Sequence, residues 1–328
     1  MISLRRRAIS QKTNHVQLEL MAVLTGVMIA EQARANSELS IRIGNSVEAA
    51  FVSFSSGLLI IAAIAIFNPS IKRGLRQLNS AITAGKIGRW RLLAGALGGS
   101  AIAISTHVVP LIGVALYSVA TISGQTAISL FVDRIGLGGG ERKPISWRRV
   151  IAAVITVLAV LVSVLDRLSV THFQIFAVVL GILAGVIIGI QRSLNGSINV
   201  YSGASYATSL WNFIMGSSFL ALFTLALLIF RGDAINPLPS GPWWIYTGGV
   251  VGVIYIAMSS LVVQHLGVLT FVLFSVGGQL LGSLLFDIIS PTQGAHVTGY
   301  LLTGIVMTYI GVVAGGESKL FKRSSSRP

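Results

Sequence analysis

Gly26-Val27-Met28-Ile29-Ala30-Glu31-Gln32, followed by Asn36, returns later in the chain as Gly185-Val186-Ile187-Ile188-Gly189-Ile190-Gln191, followed by Asn195. The offset is 159 residues, and it persists through Gly44/Gly203, Phe54/Phe213 and Gly57/Gly216. Further on it becomes 154, through Gly95/Gly249, Gly98/Gly252, Gly113/Gly267, Gly124-Gln125/Gly278-Gln279, Ser129/Ser283 and Asp133/Asp287. One five-residue deletion in a connecting segment accounts for the change. Two related membrane halves of opposite orientation are a known way to build a carrier with its site near the bilayer midplane.

Composition supports a lipid environment. Hydrophobic residues make up 53% of the chain and charged residues 10%, with a mean hydropathy of +0.81. A soluble chain carries about 25% charged residues, so this one has too few to cover a surface facing water. The chain has no cysteine, which excludes a disulfide framework, a thiolate metal site and a cysteine nucleophile. The net charge of +14 does not point to nucleic acid, because no basic stretch is interleaved with aromatics.

A helix needs about 20 mostly apolar residues to cross a bilayer. Ten stretches qualify, near residues 16–35, 49–67, 92–109, 113–132, 150–165, 173–190, 206–230, 244–263, 267–289 and 297–314. The expected fold is an all-α integral membrane protein of ten transmembrane helices in two inverted five-helix repeats. The repeats span 16–165 and 173–314, with an N-terminal tail (1–15) and a disordered C-terminal tail (315–328). Trp90, Trp147, Trp243 and Trp244 stand at span starts, where amphipathic rings favour the interface. Basic Arg5, Arg6 and Arg7 and the small-x-small Ala33-Arg34-Ala35 give the first span features of a signal peptide. However, Gln32 and Asn36 match Gln191 and Asn195, so that span belongs to the fold.

With the N-terminus in the cytoplasm, only Arg34, Arg42, Arg167 and Arg231 of the 24 basic residues fall outside. The asymmetry is the positive-inside pattern and puts both termini in the cytoplasm. Because each half has five helices, an odd number, the second is inverted relative to the first. Residues Pro69–Gly88 form the longest inner loop. Lys72, Arg73, Arg76 and Lys86 are spaced around Ile71, Leu75 and Leu78, predicting a basic amphipathic helix on the cytoplasmic leaflet.

Polar side chains inside the spans are the candidate site. An amide in hydrocarbon is costly unless hydrogen-bonded, so Gln32, Asn36, Gln125, Gln191, Asn195 and Gln279 either bind a polar solute or hold helices together. Phe54, Phe213 and Trp211 would line the same cavity. Glu31 has Ile190 as its counterpart; it is a candidate proton carrier or a helix end at the outer interface. Asp133 and Asp287 are either gates at two mouths or solvated helix ends, where a carboxylate opposes the helix dipole. His107 and His265 flank tight turns, and Arg192 is read as marking the cytoplasmic boundary. Gly95/Gly99 and Gly248/Gly252 have the small-x-x-x-small spacing that lets helices pack closely, with rocking between two states as an added use.

The motifs resemble the drug/metabolite transporter superfamily, and within it the YdcZ-like branch of the EamA-like ten-helix transporters. In the first half the motifs that carry the resemblance are Gln32/Asn36, Ser53-Phe54/Gly57, Gly95/Gly98/Gly99, Gly124-Gln125 and Asp133/Gly136. In the second they are Gln191/Asn195, Asn212-Phe213/Gly216, Gly248/Gly249/Gly252, Gly278-Gln279 and Asp287. The second half departs at Asn212, where the pattern has Ser, and lacks the glycine after Asp287. The resemblance implies a two-repeat carrier and names no substrate.

The expected activity is secondary transport of a small organic solute across the cytoplasmic membrane by alternating access, with proton coupling through Glu31 as an option. No Walker motif encodes ATP drive. No metal ligand cluster or cofactor motif is found, and the ten acidic residues are scattered, which argues against an intramembrane enzyme. The spans are too apolar for a channel; a lipid flippase on the same scaffold is the alternative. Expected partners are a small-molecule solute and the bilayer, with a homodimer as a candidate assembly and no nucleic acid.

Overall fold

Residues 2–138, 145–165, 172–232, 234–266 and 268–315 are described by a computed structural model. The basic Arg142, Lys143 and Arg167, Gly267 and the tail from residue 316 lie outside them, as does the His265 side chain. The described residues form α-helices and two short 3₁₀ turns, Arg89–Leu93 and Trp243–Tyr246. The helices are α1 (Ile2–Ile43), α2 (Ser46–Phe67), α3 (Pro69–Thr83), α4 (Ala94–Ile112), α5 (Val114–Ile135) and α6 (Trp147–Ser163), then α7 (His172–Ser202), α8 (Ser205–Arg231), α9 (Gly248–Leu266), α10 (Val268–Ile289) and α11 (Gly299–Gly315).

Local chemistry sets the joints. Gly44 and Gly203 take left-handed φ of 77° and 61° at equivalent turns, after α1 and after α7. The Asn45 side chain accepts the N–H groups of Val47 and Glu48 to cap α2, and Asn68 caps α3 ahead of Pro69. Gly113, at φ 85°, alone separates α4 from α5.

The helix limits repeat as the sequence does. α1 and α7 end, and α2 and α8 begin, 159 residues apart; α4 and α9, and α5 and α10, are 154 apart at both ends. Each of the ten expected stretches overlaps a helix. By length and composition seven helices can cross a membrane: Val16–Ile43, Ser46–Phe67, Arg89–Ile112, Val114–Ile135, Gln174–Ser202, Ser205–Phe230 and Phe271–Ile289. Gly299–Ala314 is a shorter apolar helix.

Two expectations change. The first and sixth stretches do not stop at residues 35 and 190; their helices run on to Ile43 and Ser202. Arg34, at the end of the first stretch, is satisfied by protein rather than water. Arg34, 5% exposed, donates to the carbonyl and hydroxyl of Ser290 and to Glu38, and its guanidinium lies over the Trp244 ring. It is therefore no loop residue, and Arg192 likewise stands on the exposed side of a continuous helix rather than at its end. The second change concerns α3. Its apolar stripe (Ile71, Leu78 and Ala81) is buried, and Gly74 meets Ala204, Ala207 and the Ser202 carbonyl. That face seals against α7 and α8, not against lipid.

Contacts between the halves come in exchanged pairs. A Cβ at Gly26 would overlap the Ser275 carbonyl on α10; at Gly185, its counterpart, it would overlap the Thr121 carbonyl on α5, the counterpart of Ser275. Gly278 lies against Val23, and Gly124 against Ile182. Gly57 meets the Phe213 ring, and Gly216 the Phe54 ring. In lipid, where helices gain nothing by hiding from water, such close backbone approach is a main source of association. Asp287, near the end of α10, accepts the N–H groups of Val114 and Ala115, both at 2.8 Å. The start of α5 therefore meets the end of α10.

Candidate functional site

The polar candidates gather in two clusters that the repeat makes equivalent, with different contents. In the second cluster, Gln191 and Asn195 project from α7, one turn apart. Asn212 of α8 accepts from both through its Oδ1, at 3.2 Å from Gln191 Nε2 and 3.4 Å from Asn195 Nδ2. Gln191 also packs on Gly98. In the first cluster, Gln32 and Asn36 stand at the same places on α1. Ser53, the counterpart of Asn212, is too short to serve both amides. Gln32 donates instead to the Gly248 carbonyl at 2.6 Å and packs on Gly252. Asn36, 1% exposed, keeps neither partner: its Oδ1 and Nδ2 are buried without a hydrogen bond. A single Ser-for-Asn difference thus leaves one amide satisfied and its mate free.

Phe54 and Phe213 meet with ring centroids 5.4 Å apart. They are each other's counterparts, so this pair lies where the two halves exchange. Trp211 is tied down, its indole N–H donating to the Leu92 carbonyl at 3.1 Å. The glutamines of α5 and α10 also differ. Gln279, 6% exposed, reaches the Ser118 hydroxyl at 3.5 Å. The position equivalent to Ser118 is Val272, and half-buried Gln125 has no hydrogen-bond partner for its amide among the described residues.

Glu31 joins the first cluster from the neighbouring face of α1. Its Oε1 lies 2.6 Å from the Thr247 hydroxyl, which is also 2.6 Å from the Trp244 carbonyl, and its Oε2 is buried without a partner. A hydroxyl has one hydrogen and a carbonyl can only accept. Donation to Glu31 suits a carboxylate; donation to Trp244 leaves Glu31 to supply the hydrogen. The two arrangements differ by one proton on Glu31.

The two aspartates have separate surroundings. Asp287, 4% exposed, caps α5. The expected clash with a helix dipole is reversed, since the carboxylate that ends α10 serves the positive end of α5. Asp133 pairs with Arg149 of α6 at 2.6 Å. His107 is exposed within α4, short of the turn at Gly113.

Sequence reading missed Thr247, Ser118 and the anchoring role of Arg34. The Arg34–Glu38–Arg42 ladder at four-residue spacing, with pairs at 3.1 and 2.9 Å, was the available signal that α1 continues. Thr247 and Ser118 had none, because their partners are distant in sequence.

The described residues are helical, with paired polar clusters among segments able to cross a membrane, an arrangement that suits a membrane transporter. The chain belongs to the YdcZ family of the drug/metabolite transporters, described as "Putative inner membrane exporter, YdcZ"; the family model matches it twice, over residues 18–162 and 176–314. It is thus an integral inner membrane protein of a transporter family. A solved structure titled only "Crystal structure of protein" is similar in fold, with a TM-score of 0.53 at 15% identity over 96% of this chain and 99% of that one. Among curated proteins no sequence matches.

Proposed function

We propose that the chain is a secondary exporter of a small organic solute, built from two inverted five-helix repeats (16–165 and 173–314) and working by alternating access. The observation that carries this reading is the exchanged packing. Contacts such as Gly26–Ser275 and Gly185–Thr121 support a two-fold relation between the halves, and the meeting of the α5 start with the α10 end supports opposed directions and an axis in the membrane plane. Each half-site then opens to its own side. The export direction rests on the family description, and the cytoplasmic placement of both termini on the positive-inside pattern.

The solute would contact the groups left free: Asn36, Gln125 and Glu31, with the Phe54–Phe213 pair as an apolar wall. Gln279, Gln191, Asn195 and Trp211 hold helices in this conformation and exchange partners when the halves rock. Glu31 would carry the coupling proton through Thr247. Asp287 and Asp133 would act as closures at opposite ends, the first by capping α5 and the second by its pair with Arg149.

The native chain lacks cysteine, so single-cysteine labelling needs no background removal. Cysteines at Gly44 and Gly203 are expected to label from opposite sides of sealed vesicles. Labelling of both from one side would refute the inverted arrangement. Solute-dependent proton flux in liposomes tests the coupling, and its persistence in Glu31→Gln would remove Glu31 from the mechanism.

A further inference from the structure

A shallow cleft of about 390 Å³ opens between α3, the Gly85 turn and the end of α7. Arg76, Gln77, Ser80, Ala81, Lys86, Val200 and Tyr201 line it. No Asp or Glu occurs between Glu48 and Asp133, or between Asp166 and Asp233. Every segment that forms the cleft therefore belongs to a stretch without acid. Among the described residues Arg76 and Lys86 have no ion pair, while Gln77, Ser80 and Tyr201 add neutral hydrogen-bonding groups. The buried stripe of α3 is spent on α7 and α8, which leaves its basic face unpartnered. Val200 on the rim of the cleft is 61% exposed, and Trp90, four residues after Lys86 in the chain, is 54% exposed, apolar and aromatic surface suited to the lipid interface.

We propose that this cleft binds a phosphate group, with Arg76 and Lys86 supplying charge and Ser80 and Tyr201 hydroxyl donors. The rim makes the headgroup of an anionic phospholipid the favoured source, and a free phosphate compound shares the same chemistry. Because the cleft is bounded by both α3 and α7, an occupant clips the amphipathic helix to the helix that carries Gln191 and Asn195. Assigning the site to the cytoplasmic leaflet rests on the orientation proposed above; binding of the phosphate itself does not.

The test is native mass spectrometry of the full chain in detergent, titrated with phosphatidylglycerol or phosphatidylcholine. Micelles have no sides, so an error in orientation cannot cause failure here, and vesicle labelling tests orientation separately. The wild type is expected to retain phosphatidylglycerol in preference to phosphatidylcholine. R76Q/K86Q should lose about twenty-fold in affinity, from a few-fold per charge. R76K/K86R, which keeps the charges, and R134Q, which removes a charge elsewhere, should retain it. Thermal stabilisation by phosphatidylglycerol in the wild type, absent from R76Q/K86Q, provides a readout that also verifies folding. Displacement of the lipid by millimolar inorganic phosphate would assign the cleft to soluble phosphates; no displacement would assign it to the headgroup. Equal retention of the two lipids, or wild-type affinity in R76Q/K86Q, overturns the proposal.

Discussion

Replacing Asp287 by Ala should destabilise the protein far more than the same change at Asp133, its counterpart in the first repeat. Asp287 accepts two backbone N–H groups, from Val114 and Ala115, each at 2.8 Å. Both residues are fully buried, so water cannot replace the carboxylate. An unsatisfied buried donor costs about 1–3 kcal/mol, and loss of a charge from a helix N-terminus adds about 0.3–1 kcal/mol. After partial relaxation we expect about 3 kcal/mol, roughly a hundredfold in the folding equilibrium. Asp287→Asn keeps one acceptor but turns an amide N–H towards the other donor, so about half that loss is expected. At Asp133 the partly exposed ion pair with Arg149 is worth about 1 kcal/mol or less. Reversible unfolding in mixed micelles, followed by tryptophan fluorescence, measures all three. Equal losses for Asp287→Ala and Asp133→Ala would refute the inference that the end of α10 anchors the start of α5.

Other expectations follow from the same geometry. Gly26→Ala and Gly185→Ala should each cost about 1–3 kcal/mol by overpacking, since both new methyls meet backbone, whereas Gly299→Ala, with open space around its Cβ, should be neutral in the same unfolding assay. Asn212→Ser makes the second cluster resemble the first; it should free Gln191 and Asn195, cost about 1 kcal/mol, and alter solute affinity in liposomes more than it alters folding. Glu31→Gln should leave solute exchange intact while abolishing uphill movement driven by a proton gradient, measured with a pH dye inside the vesicles.

The departure from two-fold equivalence is where function can reside. An identical pair of half-sites would treat both faces of the membrane alike. Here the first half has Glu31 beside Thr247 and an Asn36 with both amide atoms unpartnered, while the second has Ile190 and an amide triad joined at Asn212, in which only the Asn195 Oδ1 is buried without a partner. Ser118 similarly engages Gln279, whereas its counterpart in the second half is the apolar Val272. Each difference is a one-residue change within a shared scaffold. Under the proposed alternating access, they would give the two ends different affinities for a polar solute.

The helical class, the membrane setting and the duplication were legible in the primary sequence. Apolar length, charge asymmetry and matched motif order are properties of the chain itself and need no knowledge of its neighbours. Which amide is free and which is bonded was not legible, because Gln191, Asn195 and Asn212 resemble Gln32, Asn36 and Ser53 until their reach across two helices is known. The same holds for the ends of α1 and α7: a polar run reads as an exit from lipid unless something buries it, and Ser290, more than 250 residues away, is what accepts Arg34. Hydrogen bonds and close packing act over a few ångströms in space. Only the tertiary arrangement decides which distant residues come within that range.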